Sequence, residues 1–247
     1  MTKLSIITCT NNSELFLEDT LKSIYSQKLK DFEHVVIDNL SSDNTKKIIN
    51  KYFFKNRILI SEKDHGIYDA FNKGILNSSG EIIGFLHSSD MYEDHEYLNK
   101  VLEVFENSDC EILYTSLYHF NIKNSKIKIR RNWKSQNFKT EKLKFGWMPP
   151  HCATFVRRDH YVNNLYSTKY IISSDYNWLL KKLKVIEVNK VKHLPELYYM
   201  QRLDGVSTNK KFFLKKFFED CNILKEHYYF SFLIAIMKRI SKITQYL

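Results

Sequence analysis

The sequence predicts an α/β protein built on a mainly parallel, Rossmann-like sheet with added C-terminal helices. Short apolar runs alternate with amphipathic stretches from the N-terminus to residue 115. This alternation favours parallel strands joined by right-handed helical crossovers. Apolar residues make up 43% of the 247 positions, enough for a core, and only six Gly and three Pro argue against long disordered linkers.

The first 115 residues are predicted to contain five strands and four helices. Apolar residues in short continuous runs indicate buried strands, and apolar residues three or four positions apart indicate helices. The predicted strands are Leu4–Cys9, Glu33–Asp38, Arg57–Ser61, Ile82–Leu86 and Glu111–Thr115, and the predicted helices are Ser13–Gln27, Ser42–Tyr52, Ile67–Leu76 and Asp94–Glu106. We expect Ser13 to cap the first helix.

The regular alternation stops after residue 115, so we place a soft boundary near residue 116. We nevertheless expect one continuous globule that ends in a helical tail, residues 211–247. The predicted elements are β-structure over residues 117–132, a strand at Ala153–Arg157, a helix at Ser174–Lys184, a strand at Leu197–Gln201, and helices at Phe212–Lys225 and from Tyr229 onward.

The formal charge of +10 is concentrated in two segments. Residues 121–144 contain nine Lys or Arg and one Glu, and residues 207–247 contain eight Lys or Arg and three acids. A basic surface of this kind indicates a polyanionic partner, which leaves nucleic acid, an anionic membrane or a phosphorylated substrate open. A solvated lysine-rich surface is the plainer alternative.

Cysteine usage and hydropathy point to the cytosol. The four Cys, at positions 9, 110, 152 and 221, form no C-x-x-C pair and no metal-binding spacing, so we expect reduced, buried thiols. The N-terminus lacks the apolar region of a signal peptide, and no segment approaches the roughly 20 apolar residues of a spanning helix.

Acids follow three successive predicted strands. Asp38 ends the second strand, Asp64 follows the third, and Asp90 ends the polar loop after the fourth. Ligands of open α/β sheets bind outside the carboxyl ends of the strands, where a carboxylate can bind a sugar nucleotide or a divalent cation. Helix capping is the alternative: Ser41, Ser42 or Asp43 is expected to cap the second helix and leave Asp38 free, and Asp64 could cap the third.

Four motifs in the first half resemble the family 2 glycosyltransferases of the GT-A fold, especially bacterial enzymes that build O-antigens and other surface polysaccharides. They are residues 4–12 (LSIITCTNN), 36–45 (VIDNLSSDNT), 61–74 (SEKDHGIYDAFNKG) and 80–90 (GEIIGFLHSSD). Residues 148–155, 172–179 and 202–207 are similar to later family motifs, more loosely. The resemblance implies a nucleotide-sugar-binding half at residues 1–115 and an acceptor-side half at residues 116–210.

The resemblance also implies roles for individual residues. Asp38 and Asp64 match positions that bind uracil and ribose, with backbone groups near Cys9 and Thr10. Asp90 matches the last acid of the metal-binding D-x-D motif, and Asp175 matches the general base of inverting members. The remaining substrate-binding candidates are Lys73 and Arg202 near the diphosphate, Ser89 next to the metal, and His151 on the acceptor side. A helix N-terminal acid is the alternative for Asp175.

The chain departs from the family pattern at three places. Many relatives have a second acid where this chain has Ser89, yet one carboxylate suffices for Mg²⁺ or Mn²⁺ when the remaining ligands are phosphate oxygens and water. Asp38-Asn39-Leu40 replaces the common Asp-Gly-Gly, and Glu62-Lys63-Asp64 replaces Glu-Pro-Asp. A catalytically inactive relative therefore stays open.

The tail is predicted to end in a basic amphipathic helix. Tyr229, Leu233, Ile236, Ile240, Ile243 and Leu247 fall on one face, and Lys238, Arg239, Lys242 and Gln245 lie off it. Such a helix suits an anionic membrane surface. Packing on its own domain or on a second subunit, as in a homodimer, is the alternative.

Together these features predict an inverting glycosyltransferase at the inner face of the plasma membrane. It would move a hexose from a nucleotide-diphosphate sugar, most simply a UDP-sugar, to an undecaprenyl-diphosphate-linked saccharide. We expect no nucleic-acid partner. Two alternatives stay open: a sugar nucleotidylyltransferase of similar fold, although no Gly-rich phosphate loop follows Thr10, and a basic nucleic-acid-binding protein, hinted at by residues 130–133 (RRNW).

Overall fold

A computed structural model describes residues 3–52, 54–123, 126–203 and 212–243. The strands of this part of the chain form one sheet, and apolar side chains cover both of its faces. The strands are β1 (Leu4–Thr10), β2 (Glu33–Asp38), β3 (Arg57–Ser61), β4 (Ile82–Phe85), β5 (Met91–Tyr92), β6 (Ile112–Lys123), β7 (Lys126–Trp133), β8 (Thr154–Arg157) and β9 (Val191–Arg202).

Helices fill the connections between these strands and follow the last one. They are α1 (Leu17–Tyr25), α2 (Thr45–Lys51), α3 (Ile67–Leu76), α4 (Tyr97–Glu106), α5 (Arg158–Val162), α6 (Ser174–Leu183), α7 (Phe213–Lys225) and α8 (Ser231–Ile243). Short 3₁₀ helices lie at Thr140–Phe145, His151–Ala153 and Val188–Lys190. The bounds predicted for β2, β3 and α3 are the observed ones.

The predicted parallel core is confirmed. The sheet order is β3-β2-β1-β4-β8-β6-β9-β5, with β7 paired to β6, and β3, β2, β1 and β4 run parallel to one another. All residues of β1 and β2 are buried, as expected for strands covered by helices on both faces. Their carboxyl ends therefore meet at one edge of the sheet.

The second half extends the same sheet with mixed pairing. β8 pairs antiparallel with β4 and β6, whereas β6 and β9 are parallel. β6 runs without a break from residue 112 to residue 123, so the soft boundary near residue 116 falls inside a strand. β9 also pairs with the short β5, which follows the loop that carries Asp90. The two halves are thus joined directly beside the candidate site.

The first helix begins later than its sequence pattern predicted. α1 starts at Leu17, and its N-cap position, Phe16, makes no side-chain cap hydrogen bond. The hydroxyl of Ser13 instead accepts the Asn11 N–H at 3.2 Å and lies 3.0 Å from the hydroxyl of Ser88. The prediction that Ser13 caps the helix was wrong, because this side chain joins two loops at the carboxyl edge of the sheet.

The four cysteines are buried, free thiols, as predicted. Within the described ranges, none of the helices combines the length and the hydropathy that a bilayer crossing needs.

The last helix packs on the protein through a face other than the predicted apolar stripe. Over residues 231–241 of α8, where side chains are described, the buried positions are Ser231, Ile234, Ala235 and Lys238. Lys238, which the pattern places off the apolar stripe, lies on this buried face, and its ammonium lies 3.1 Å from Asp220, which is 1% exposed. A buried carboxylate requires a cation partner. The predicted apolar stripe stays largely exposed: Tyr229 is 94%, Leu233 54% and Ile240 57% exposed. Gln245 and Leu247 lie outside the described residues.

Candidate active site at the carboxyl edge of the sheet

The three strand-end acids lie at the same edge of the sheet, as the sequence predicted. Asp38 is the last residue of β2, Asp64 lies three residues beyond β3, and Asp90 follows β4 after a turn. Because these strands are parallel neighbours or next neighbours, their ends must share this edge.

Asp38 is fully buried and is not free. Its carboxylate accepts the hydroxyl protons of Thr10 at 2.9 Å and Ser61 at 2.8 Å, and both the N–H and the hydroxyl of Ser41. Burial acts to raise the pKa of Asp38, but these hydrogen bonds outweigh it and leave the pKa below its ordinary value. Asp43 accepts the Thr45 N–H, but the N-cap position of α2 is Asn44, which makes no side-chain cap hydrogen bond, and Ser41 is used to hold Asp38.

The loop after Asp38 uses a conformation that normally favours glycine. Leu40 has φ = 46°, in the left-handed region. The Asn39 N–H donates to the Thr10 carbonyl at 2.9 Å, and the Asn39 side-chain oxygen accepts the Asp64 N–H at 2.8 Å. The Asn-Leu sequence thus joins the ends of three strands, β1, β2 and β3, and leaves the Leu40 side chain exposed.

Asp64 pairs with Lys73 and does not cap α3. The two side chains lie 2.8 Å apart, and Lys73 also lies 2.9 Å from Glu62 and 3.6 Å from Asp69. The hydrogen bond from Lys73 to Asp64 is the main cause of a raised Lys73 pKa. The N-cap position of α3 is Gly66, without a side-chain cap. Lys73 is therefore a permanent cation surrounded by acids beside Asp64.

Asp90 is held by a strand that the sequence analysis did not connect to it. Tyr199 on β9 donates its hydroxyl to Asp90 at 2.9 Å and accepts the His87 N–H at 3.1 Å, so it spans the His87–Asp90 turn. The Arg202 N–H donates to the other Asp90 oxygen at 3.0 Å. Burial raises the pKa of Asp90 above its ordinary value, although His87 and these hydrogen bonds oppose the rise.

The Arg202 side chain also binds the turn from His87 to Asp90. Its guanidinium donates to the Ser89 carbonyl at 3.1 Å and to the Asp19 carboxylate at 2.8 Å, and it stacks over the Phe16 ring at 4.4 Å. The Ser89 hydroxyl itself lies 3.2 Å from Asp90. Arg202 and Ser89 thus both contact the Asp90 turn, whereas residues 204–207 of the last sequence motif lie outside the described residues.

Two histidines lie against one aromatic ring between the sheet edge and the second half. Both His87 and His151 stack on Phe71, with ring centroids 5.6 and 5.9 Å away. His151 also hydrogen-bonds the Tyr166 hydroxyl at 2.6 Å. Burial lowers the pKa of both imidazoles, which favours their neutral forms. The charge of the Asp175 carboxylate acts to raise the pKa of each histidine, so this acid lies beside the pair.

Asp175 occupies the first turn of α6 and is half-buried. One oxygen, Oδ1, accepts the Tyr68 hydroxyl at 3.0 Å and the Tyr176 N–H at 2.8 Å. Within the described part of the chain, Oδ2 has no hydrogen-bond partner. Burial would raise the pKa of Asp175, but His151, Lys216 and the Tyr176 N–H outweigh it, so the pKa lies below its ordinary value. Asp175 is therefore an ionised carboxylate with one oxygen available.

The metal donors near Asp90 are few. The described residues contain no group of three or more His, Cys, Asp and Glu side chains placed to hold a metal ion. Asp90 contributes one carboxylate, with His87 beside it. The Tyr199 and Ser89 hydroxyls and the Arg202 N–H that hold Asp90 are neutral donors, so a bound cation would offset the burial that raises its pKa.

The structure thus arranges the predicted residues in four groups. Thr10 meets Asp38, Asp64 meets Lys73 near Cys9, and Ser89 and Arg202 meet Asp90; His151 lies beside Asp175. Sequence reasoning missed Tyr68, which hydrogen-bonds Asp175, and Tyr199, which hydrogen-bonds Asp90. Tyr68 stands inside the quoted motif at residues 61–74 and could have been noted; Tyr199 carries no local signal.

Comparison with known proteins identifies relatives along most of the chain. The family described as "Glycosyl transferase family 2" matches residues 5–163. Chondroitin synthase of Pasteurella multocida is 29% identical over 210 residues, which are 84% of this chain and 21% of that protein. A Campylobacter jejuni protein, GalNAc(5)-diNAcBac-PP-undecaprenol beta-1,3-glucosyltransferase, is 36% identical over 99 residues, 36% of this chain and 30% of that one. The chain thus spans about a fifth of the Pasteurella relative.

Solved structures share the fold at low sequence identity. S. aureus TarS 1-349 in complex with UDP-GlcNAc has a TM-score of 0.66 and 18% identity, covering 91% of this chain and 66% of that one. Mannosyltransferase PcManGT from Pyrobaculum calidifontis, in complex with GDP-Man and Mn²⁺, has a TM-score of 0.63 and 14% identity, covering 91% and 62%. These likenesses show the GT-A fold that the motifs predicted. Because the family pattern extends over more than half of its length, the chain belongs to glycosyl transferase family 2.

Proposed function

We propose that the protein is an inverting glycosyltransferase that transfers a hexose from a UDP-sugar to a lipid-linked saccharide during synthesis of a surface polysaccharide. Family membership supports the transfer class. The observation that carries the mechanism is the pairing of two acids, an ionised, half-buried Asp175 and the buried strand-end acid Asp90. Both carboxylates act on the pKa of His87, which lies near both of them. The UDP-GlcNAc bound by TarS supports the donor class, and the name of the Campylobacter relative supports a lipid-linked acceptor.

We assign donor binding to the ends of β1, β2 and β3. Asp64 would accept hydrogen bonds from the base or the ribose, with backbone groups of Cys9 and Thr10 beside it. Asp38, whose oxygens already accept from Thr10, Ser41 and Ser61, would hold the strand ends in place around the donor. Lys73 neutralises part of this acidic edge, which a diphosphate would otherwise avoid.

Asp90 is the proposed metal ligand. One carboxylate beside a diphosphate suits Mg²⁺ or Mn²⁺, which keep bound waters and accept phosphate oxygens. When bound, the metal would stabilise the charge that develops on the departing diphosphate. The Mn²⁺ bound with GDP-Man in PcManGT supports this class of cofactor. Tyr199 and Arg202 hold the carboxylate, and Ser89 lies beside it.

Asp175 is the proposed general base. The acceptor hydroxyl attacks the anomeric carbon of the donor sugar, the bond from that carbon to the diphosphate breaks, and the hydroxyl proton passes to Oδ2 of Asp175. Attack from the face opposite the leaving group inverts the anomeric configuration. A carboxylate in this role contributes typically 10²–10⁴-fold. His151 would border the acceptor, because it lies next to Asp175.

A screen of nucleotide sugars tests the donor assignment. We expect a UDP-sugar to raise the melting temperature in the presence of Mn²⁺ and much less in EDTA; a ligand at 100 times its dissociation constant adds about 2.7 kcal/mol. Release of UDP in the presence of an acceptor would then demonstrate transfer. Stabilisation by a nucleoside triphosphate with release of pyrophosphate would support a nucleotidylyltransferase instead, and stabilisation without turnover would indicate an inactive relative.

The exposed apolar surface of α7 and α8 is the proposed membrane contact. It consists of Phe213, Leu214, Phe218, Tyr229, Phe230, Phe232, Leu233 and Ile240. The exposed Lys215 and Lys225 lie on α7. Aromatic side chains with neighbouring cations suit the interface of an anionic bilayer. Binding through this surface would bring the active site close to an acceptor that is anchored in the membrane.

We expect the wild-type protein to co-sediment with phosphatidylglycerol-containing vesicles at low salt. If both side chains insert fully, the double variant Leu233→Gln/Ile240→Gln should partition at least about 100-fold more weakly, since each buried aliphatic side chain contributes about 1.5–3 kcal/mol. These positions avoid the buried face of α8, so the fold should survive. Leu76→Gln, at an exposed position of α3, is the matched control. If wild type and variant sediment alike, the membrane assignment is wrong; a wild-type dimer abolished by the variant would assign the surface to a second subunit.

A further inference from the structure

Glu219 on α7 accepts three consecutive backbone N–H groups from the segment that precedes α6. Its carboxylate lies 3.1 Å from the Ile171 nitrogen and 2.9 Å from the nitrogens of Ile172 and Ser173. Three backbone donors converging on one carboxylate form charge-assisted hydrogen bonds, which are stronger than neutral ones. The conformation of residues 171–173 is therefore fixed by a helix that lies about 45 residues further along the chain.

Glu219 caps the entry into α6 from outside, because it accepts the N–H of the N-cap residue, Ser173, and of the two residues before it. The N-cap residue of α6 is Ser173, whose side chain makes no cap hydrogen bond, and the hydroxyls of Ser173 and Ser174 have no partner among the described residues. Helix N-termini leave backbone donors unpaired and favour an acidic partner. Here that partner comes from α7, and Asp175 follows two residues after the last N–H that Glu219 accepts.

The Tyr68 hydroxyl connects the segment that Glu219 binds to the Asp175 carboxylate. The Tyr68 hydroxyl lies 2.7 Å from the Ile172 carbonyl and 3.0 Å from Asp175 Oδ1. Having one proton, it donates to one of them at a time. The peptide that Glu219 holds thus also locates the hydroxyl that orients Asp175. A shift of residues 171–173 would move both the base of α6 and its tyrosine partner.

Ion pairs connect α7 to α8 at the residue next to Glu219. The Lys238 ammonium lies 3.1 Å from Asp220 and 3.0 Å from the centroid of the Tyr176 ring, and Arg239 lies 3.4 Å from Asp220. Asp220 is the neighbour of Glu219, and Tyr176 is the neighbour of Asp175. These contacts join α7, α8 and the first turn of α6 at adjacent residues.

We propose that Glu219 is a positioning residue for Asp175, so that the C-terminal helices determine the efficiency of the chemical step. The proposal rests on the role of Asp175 as general base. Glu219 does not touch substrate; it acts by fixing the residues on which Asp175 and Tyr68 depend.

Glu219→Gln tests the proposal at constant side-chain shape. The amide retains one acceptor oxygen and turns an N–H₂ toward the backbone donors. We expect kcat to fall about tenfold, about 1.4 kcal/mol in the barrier, while the donor KM changes by less than about twofold. The melting temperature should fall by about 2–4 °C, which leaves the protein folded during the assay.

Ile223→Val is the control for a merely structural effect. Ile223 is fully buried on α7, and its shortening loosens the same helix without removing the contact to residues 171–173. If Ile223→Val lowers the melting temperature as Glu219→Gln does but keeps kcat, the kcat loss belongs to the lost cap. Equal kcat losses in both variants would overturn the positioning role.

The Asp175→Asn background separates this proposal from the proposed function. If Glu219 acts through Asp175, adding Glu219→Gln to Asp175→Asn should lower kcat no further, because residues that act as a unit are not additive. A full additional tenfold loss would overturn positioning through Asp175. If Asp175→Asn abolishes turnover and Glu219→Gln leaves it intact, the positioning proposal alone fails. If Asp175→Asn keeps full turnover, the general-base assignment itself is wrong.

Discussion

Asp175→Asn should lower turnover by about 10²–10⁴-fold and leave the donor dissociation constant nearly unchanged. Asparagine keeps the size of the side chain and can still accept the hydrogen bonds of Tyr68 and the Tyr176 N–H through one oxygen. It cannot take a proton from the acceptor hydroxyl. The loss should therefore appear in kcat, measured as UDP release with saturating donor and acceptor.

Donor titration by calorimetry distinguishes this role from a structural one. We expect Asp175→Asn to bind the donor as the wild type does, with a similar melting temperature. Asp159→Asn, an acid in the first turn of α5, serves as the matched control and should keep full turnover. Equal losses of donor affinity and kcat would assign Asp175 to donor binding and contradict the general-base proposal.

Asp90→Asn should abolish metal-dependent donor binding without destabilising the free protein. Burial raises the pKa of Asp90. A carboxyl group whose folded pKa exceeds its unfolded pKa disfavours the folded state once pH rises above the unfolded value. Removing the charge at neutral pH should therefore leave the melting temperature of the metal-free protein unchanged or higher. The stabilisation by UDP-sugar with Mn²⁺ should disappear, and turnover with it.

The choice of asparagine over alanine matters for this test. Asp90→Ala would leave the Tyr199 hydroxyl and the Arg202 N–H without their buried acceptor, at a cost of about 1–3 kcal/mol. Asp109→Asn, at an exposed position after α4, is the control for loss of a negative charge. If Asp90→Asn retains Mn²⁺-dependent stabilisation by the donor, the metal is bound elsewhere.

The first half of the fold could be predicted because its signals are local. β2, β3 and α3 were predicted with their observed bounds, since apolar runs and helical periodicity within about ten residues reflect burial directly. The position of Asp38, Asp64 and Asp90 at one edge followed from parallel topology alone. The ends of helices were less accurate: α1 begins four residues after Ser13, because a hydroxyl that could cap a helix is used between two loops.

The contacts of the site were not predictable in this way, because their partners are distant in sequence. Asp90 is held by Tyr199 and Arg202, which lie more than 100 residues later, and Arg202 reaches Asp19 across 183 positions. No periodicity relates such residues. The pairing of β9 with both β5 and β6 is what brings them together.

The sequence by itself determined that this chain forms a parallel α/β sheet with acids at one edge, because strand burial and parallel topology leave little alternative. Only the tertiary structure decided which face of α8 is buried. Its apolar residues extend beyond one stripe, and the buried Asp220 carboxylate, which needs a cation beside it, selects the face that carries Lys238. Likewise, only packing of α7 against α6 brings Glu219 to the backbone before Asp175, since a carboxylate finds unpaired N–H groups through space and not through sequence spacing.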